Sequence, residues 1–395
     1  MEKNQPLIHG LIGSALIGVD PFHPRSWSGI SRHFFLECQR QGILHGADGG
    51  DVGGIKRLIY LARCFHPDRS IWRLRYYLHP RYRNALTRVI QKKMAAVPAE
   101  VPLIQFGALF DAPSVAKSGQ RCFSYHDGNM AQRISNPFAS VALPTALAQA
   151  AMSYEKAVYD RLDGIFTMSE HLRQSFIQDF DQAPEKVHCI GAGVNLDDIP
   201  SENPDKRYDT QEVLFVGADF ERKGGHVLLK AFSRARQRHP EATLHIAGPR
   251  SAPPSDLPLE GVQWHGHLRK NVPSENARLE SLFASSSLFV LPSLYEPFGI
   301  APAEAMIQGI PAVVSKAWAL QETVHHRKTG EHVPPGDEDA LAETLERLLG
   351  QSSELQQLGQ EARRDALSRF TWEGVVNRCH AHIRKVERPT LPDER

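Results

Sequence analysis

The sequence predicts an α/β protein made of two Rossmann-like domains, each with a parallel sheet, facing a central cleft. Short apolar runs recur along the chain as continuous stretches, the way strands buried on both faces read. They alternate with helical patterns, which parallel strands need for their right-handed crossovers. At 395 residues the chain is also too long for one ordinary core. Ligands in such sheets bind at the carboxyl ends of strands, so the loops that follow strands are the first place to look for chemistry.

Residues 7–19, LIHGLIGSALIGV, read as a first buried strand. The run is too short to span a bilayer. The preceding MEKNQP carries one acid and one base, unlike the cationic start of a signal peptide. A Pro/Gly/Ser loop, DPFHPRSWSGI, leads into a helix, SRHFFLECQRQG, which ends near Gly42. Residues 54–95 read as helical and basic. VPLIQFGAL (101–109), RCFSY (121–125) and DGIFTMS (163–169) are strands, the last followed directly by the helix EHLRQSFIQDF. KVHCIGAGVN (186–195) closes the first half with a strand and a Gly-rich turn. The polar stretch 196–211 is the linker, which gives an amino-terminal domain over 1–200. A second domain over 201–372 alternates more cleanly: the strands EVLFVG, ATLHIAG, VQWHG, SLFVLPS and PAVVS enclose the helices GGHVLLKAFSRARQRHP, SENARLESLFASS and IAPAEAMIQG. Residues 373–395 are expected to form a helix that crosses back to the first domain, then a tail.

The formal net charge of +1 argues against a global electrostatic partner such as nucleic acid. Five scattered cysteines without a CxxC suit a reducing compartment and buried thiols.

The most informative stretch is YEPFGIAPAEAMIQGIPAVVS, residues 295–315. Glu296 follows a strand, and Glu304 falls in the first turns of the next helix. Gly299 permits close backbone approach to a ligand. The amides of Phe298, Gly299 and Ile300 would point out of the helix start, where partial positive charge favours phosphate. A carboxylate can accept from two vicinal hydroxyls. Two diol receptors thus flank an anion site, the order of groups in a sugar–diphosphate–ribose ligand. Read in isolation, the two acids are also simply favourable near a helix start.

This stretch resembles the signature of retaining family 4 glycosyltransferases of the GT-B fold. LFVGADFERKGGHVLLKAF resembles that family's strand–phosphate loop–helix, TMSEHLRQSF its last amino-domain helix, and GAGVN the turn before its interdomain linker. RKTGEHVPPGDEDALAETLERLL and RFTWEGV continue the likeness, which covers residues 160–375 and, upstream, mainly WSGI and SYHDGN. The resemblance implies that Glu296 touches the transferred sugar's hydroxyls and Glu304 the ribose hydroxyls. It implies that amides of Phe298 to Ile300 contact the diphosphate and sugar, and that Lys223 neutralises the leaving diphosphate. Leu268 occupies the place where backbone groups read the base. One position departs from the family pattern. Ala218 follows Gly217 where arginine is usual, and the cation appears instead as Arg222 beside Lys223.

In the amino-terminal half, Gly29 precedes a helix and would let backbone amides approach the diphosphate. A histidine at a loop start is more often structural, but with the family pattern His126 and Asp127, in SYHDGN, become the catalytic candidates that would orient the acceptor hydroxyl or stabilise charge. Retaining hydrolases place a nucleophilic carboxylate near an acid. The family resembled here has no agreed enzymic nucleophile, and its reaction is described as front-side attack assisted by the departing diphosphate.

DFD (179–181) and DED (337–339) imitate a metal-binding DxD, but neither follows a core strand, and no His/Cys cluster has metal spacing. No metal and no cofactor is expected; the donor would be a UDP-, GDP- or ADP-sugar. Residues 69–93 carry eight Lys/Arg and no acid. Leu86, Val89 and Ile90 share a helical face, and Trp72, Tyr76 and Tyr77 could sit at a membrane surface. An exposed helix pair whose arginines cover apolar surface reads the same way. The expectation is a cytoplasmic hexosyltransferase, peripheral at the inner membrane face, acting on a glycan or lipid-linked acceptor in bacterial surface polysaccharide or lipopolysaccharide assembly. Its rivals are a sugar-nucleotide epimerase of the same fold and a non-catalytic sugar-nucleotide-binding subunit.

Overall fold

A computed structural model describes residues 7–13, 20–138 and 141–386. The described residues divide into two units, those of Met1–Gly193 with Trp372–Arg395 and those of Val194–Thr371.

In the first unit, β1 (Ile8–Gly13), β2 (Leu44–Gly50), β3 (Leu103–Phe106), β4 (Cys122–His126), β5 (Gly164–Thr167) and β6 (Val187–Cys189) make one sheet in the order β2-β1-β3-β4-β5-β6. Every pairing is parallel. Its helices are α1 (Ile30–Arg40), α2 (Gly54–Arg63), α3 (Arg69–Leu78), α4 (Pro80–Met94), α5 (Met130–Ser135), α6 (Thr145–Arg161) and α7 (Glu170–Phe180). The first expected strand is β1; the rest of its run, residues 14–19, lies outside the described residues. The edge strand β2 reads LHGADGG, too polar and too Gly-rich to show as an apolar run.

The basic stretch behaves differently from its expectation. Tyr76 is 1% exposed and packs on Tyr82 with ring centroids 4.4 Å apart, so it is a core residue and not a membrane-surface aromatic. Leu86 and Ile90 are also fully buried in that core. The cause is that α3 and α4 turn their aromatic and aliphatic side chains inward. Buried Arg83 lies 3.8 Å from the Glu155 carboxylate.

The second unit holds β7 (Glu212–Val216), α8 (Gly225–Ala235), β8 (Thr243–Ala247), β9 (Val262–Gly266), α9 (Pro273–Ser285) and β10 (Leu288–Leu291). Then come α10 (Ile300–Ile307), β11 (Ala312–Ser315), α11 (Leu320–Thr323), β12 (Gly330–Val333), α12 (Glu338–Leu349) and α13 (Ser352–Arg369). The sheet order is β12-β11-β10-β7-β8-β9, again all parallel. The apolar runs LFVL and AVVS are buried at every position, as central strands covered on both faces must be.

The last helix, α14 (Trp372–Lys385), packs in the first unit: Trp372 meets Phe34 edge-on at 6.3 Å, and Arg378 donates to the Ile190 carbonyl at 2.9 Å. Four of the five cysteines are buried thiols; Cys189 is exposed. Among the described residues no helix is long and apolar enough to cross a membrane.

Candidate active site

In the second sheet, β7, β8 and β9 step one way and β10, β11 and β12 the other, so the order reverses between β7 and β10. Loops leaving two such neighbours diverge and open a crevice at their carboxyl ends. Here the two loops are tied together. The Arg222 carbonyl accepts from the Leu294 amide at 2.9 Å, and Arg222 Nη1 donates to the Tyr295 carbonyl at 2.9 Å. Gly224 has φ +74, and a Cβ there would run into the Pro292 carbonyl, so only glycine lets the loops approach this closely.

That approach brings Lys223 onto Glu296: the ammonium Nζ donates to Oε2 of a carboxylate that is 7% exposed. Burial and the neighbouring Arg222 guanidinium pull Lys223 down to about 7. The Asp219 carboxylate opposes that pull by favouring the ammonium form. Arg222 itself is held by Asp219, with its Nε 3.1 Å from Oδ2. Ala218 lines an open pocket with Asp219, Phe220, Glu221 and His226.

α10 starts on Gly299, whose φ of +102 is left-handed. A Cβ there would sit 2.9 Å from Leu320 Cδ2. Thr323 Oγ1 donates to the Phe298 carbonyl at 2.6 Å and fixes the turn. The first amides of a helix have no partner within it and carry partial positive charge, so this end can bind an anion. Glu304, one turn inside, is 3% exposed, and Lys270 Nζ donates both to its Oε1 at 2.5 Å and to the Asn195 carbonyl at 3.0 Å. Sequence reasoning singled out Leu268 in the loop after β9 and missed Lys270 two positions on. The only signal was that shared loop, because 34 residues separate Lys270 from Glu304 in the chain. Leu268 is half-buried.

The structure therefore gathers Arg222, Lys223, Glu296, Phe298, Gly299, Ile300 and Glu304 at one switch point. Gly29, His126 and Asp127 belong to the other unit. Gly29, with φ +91, caps α1, and the preceding Trp27 lies edge-on to Phe106 at 5.9 Å beside the β1/β3 reversal. His126 ends β4 and is 1% exposed, with its ring edge-on to Tyr159 and Phe176 at 5.4 and 4.9 Å. Burial pulls its imidazole down to about 3, so it is neutral. Asp127 is half-buried, and desolvation raises its carboxyl. The turn after them is firm. Asn129 caps α5 by accepting from Gln132 N, and buried Glu155 accepts from Met130 N and the Tyr159 hydroxyl, each at 2.9 Å.

The two acidic triplets serve helix ends. Asp179 accepts from Ser175 Oγ at 2.6 Å, Asp181 is the left-handed cap of α7, and Asp337 caps α12 by accepting from Ala340 N at 2.9 Å. Among the described residues no group of three or more His, Cys, Asp or Glu is placed to hold a metal ion.

Comparison with known proteins adds three findings. The family model for "Glycosyl transferases group 1" matches residues 199–365, which include the whole switch-point site. The chain is 32% identical over 226 residues to an MMP alpha-(1->4)-mannosyltransferase of Mycolicibacterium hassiacum, covering 56% of this chain and 54% of that protein. It spans about half the length of the curated relatives it matches. Among solved structures, sucrose-phosphate synthase from Thermosynechococcus elongatus superposes with a TM-score of 0.67 at 17% identity, over 96% of this chain and 99% of that one. WaaG, a glycosyltransferase involved in lipopolysaccharide biosynthesis, gives a TM-score of 0.63 at 15% identity, over 96% and 100%. The chain has the GT-B fold, and its residues 199–365 match the model of the glycosyl transferases group 1 family.

Proposed function

We propose that this protein is a retaining glycosyltransferase that moves a hexose from a nucleotide-diphospho-sugar to a glycan or lipid-linked acceptor, without a metal ion. The observation that carries this is the pair of buried carboxylates, Glu296 and Glu304, flanking the start of α10, each held by a lysine. Ribose hydroxyls would take Lys270's place on Glu304, and sugar hydroxyls would meet Glu296. The diphosphate would lie on the amides of Phe298 to Ile300 and draw Lys223 and Arg222 to itself.

The reaction then needs positioning and charge stabilisation more than a protein nucleophile. The acceptor oxygen bonds the anomeric carbon on the face from which the diphosphate leaves. The C–O bond to phosphate breaks, its electron pair goes to the diphosphate, and the acceptor's proton passes to a departing phosphate oxygen. Lys223 gains most as that charge develops, because a desolvated ammonium interacts strongly with a nearby anion. The similarity to a mannosyltransferase and the setting of WaaG support a hexose and a surface-glycan acceptor in bacteria.

A thermal-shift screen against UDP-, GDP- and ADP-sugars tests the reading, since a ligand that binds only the native state raises its stability. One nucleotide class should raise Tm, and the same donor should then support transfer. Donor epimerisation without transfer would favour the epimerase, and binding without turnover the non-catalytic subunit.

A further inference from the structure

α2 is docked on the first unit by one side only. Tyr60 and Leu61 pack against the core, Tyr60 meets Tyr82 edge-on at 6.2 Å, and Trp72 Nε1 donates to the Leu61 carbonyl at 2.8 Å. None of its ten residues is buried. On the opposite side Ile55, Leu58 and Ile59 recur at helical spacing, and Phe65 follows in the turn beyond. Ile55 (77%), Leu58 (66%) and Phe65 (62%) are the three most exposed large apolar side chains among the described residues. A helix fixed by one apolar side that presents a second to solvent marks an interaction surface.

The charge around it selects the occupant. Residues 54–93 hold eleven lysines and arginines against one acid, Asp68. That acid is used at the start of α3, where it accepts from Ser70 N at 2.7 Å and Ile71 N at 3.1 Å. Lys56 and Arg63, which flank the apolar stripe, and Arg69 and Arg73 of α3 are exposed. A second copy of the chain would bring the same positive charge against this face, which disfavours a symmetric dimer. An apolar stripe with a basic border is instead complementary to a bilayer with an anionic surface.

We propose that α2 docks the protein peripherally on anionic lipid, with Ile55, Leu58, Ile59 and Phe65 entering the acyl boundary and Lys56, Arg63, Arg69 and Arg73 lying at the headgroups. This moves the membrane contact from residues 69–93, whose apolar members are largely inside, to the preceding helix. The docking is independent of the reaction proposed above and is tested without it.

The test is sedimentation of the full chain with vesicles of phosphatidylglycerol and phosphatidylcholine, against vesicles of phosphatidylcholine alone. The wild type should sediment with the first at low salt, little with the second, and less as salt rises. The exposed triple variant Ile55→Ser/Leu58→Ser/Ile59→Ser should lower partitioning at least about tenfold with an unchanged thermal melt. Lys56→Ala and Arg63→Ala should each lower it about fivefold, the worth of one surface charge. Wild type that ignores anionic vesicles, or a triple variant that still sediments with them, overturns the proposal. So does a wild-type dimer in gel filtration that the triple variant turns into a monomer.

Discussion

The two sheets reverse their strand order in the same way, between β1 and β3 in one and between β7 and β10 in the other, yet they treat buried charge differently. At the second reversal each buried carboxylate meets a lysine: Glu296 with Lys223 and Glu304 with Lys270. Beside the first, His126 is packed by two aromatic rings, and desolvation dominates both it and Asp127. A lysine donating to a buried carboxylate can be exchanged for a ligand's hydroxyls or phosphates. Burial without a charged partner favours the neutral form instead, as at His126. The lesson is that the second unit pairs its buried charges, whereas the first presents a firm turn whose histidine is part of the packing.

Breaking one of these pairs should have the largest effect. Lys223→Ala removes the ammonium nearest the proposed leaving group and strands Glu296. Transfer should fall about 10²- to 10³-fold in kcat, the usual cost of one preorganised charge at the reacting centre. A loss of only a few-fold would remove Lys223 from the chemistry.

Arg222 sharpens the same side. It is held by Asp219 and the Tyr295 carbonyl, close to Lys223, where it can stand in for the guanidinium that Ala218 lacks. Arg222→Ala should cost about 2–3 kcal/mol, or roughly 30- to 150-fold in kcat/KM for the donor. Arg222→Lys should be poorly tolerated, because lysine lacks the two-pronged donor geometry, and Ala218→Arg should partly rescue Arg222→Ala. An Arg222→Ala enzyme within about twofold of wild type would sink the substitution idea.

The first unit can be tested through acid stability. The folded pKa of His126 is depressed to about 3, below its unfolded value near 6.5. Between those values the unfolded chain binds a proton that the native one refuses, so stability rises with pH across that window. His126 in its neutral form is fully tolerated above about pH 6.5, and stability is lost as pH falls toward about 3. His126→Phe should flatten the slope by up to about 1.4 kcal/mol per pH unit. Urea midpoints from acid to neutral pH read this directly, and an unaltered slope would mean the imidazole titrates freely. The smallest effect should come from chelation: transfer should be unchanged in EDTA. Complete loss that manganese restores would require a metal at the diphosphate.

How far the sequence reached follows the same division. The site around α10 was legible because Glu296, Gly299 and Glu304 lie within nine residues of one loop and helix, so local geometry alone sets their relation. The central strands were legible because LFVL and AVVS are almost wholly apolar and buried at every position. Lys270 was not legible, since a pair made across 34 residues leaves no local pattern. The inward turn of His126 was equally hidden, because Tyr159 and Phe176 come from α6 and α7. The basic stretch misled because a helix that buries tyrosines under arginines has the composition of one that meets a membrane. Only burial separates Tyr76, which is inside, from Ile55, which is not.

The central claim is that Glu304 is the ribose receptor of a nucleoside-diphosphate site and that Glu296 serves the transferred sugar. Calorimetric titration of the free nucleoside diphosphate into wild type, Glu304→Ala and Glu296→Ala tests it directly. Glu304→Ala should weaken binding by about 1.5–3 kcal/mol, the worth of a charged hydrogen bond, while Glu296→Ala should bind much as wild type does and fail mainly in transfer. If both variants bind the nucleoside diphosphate like wild type, the account is contradicted at its centre.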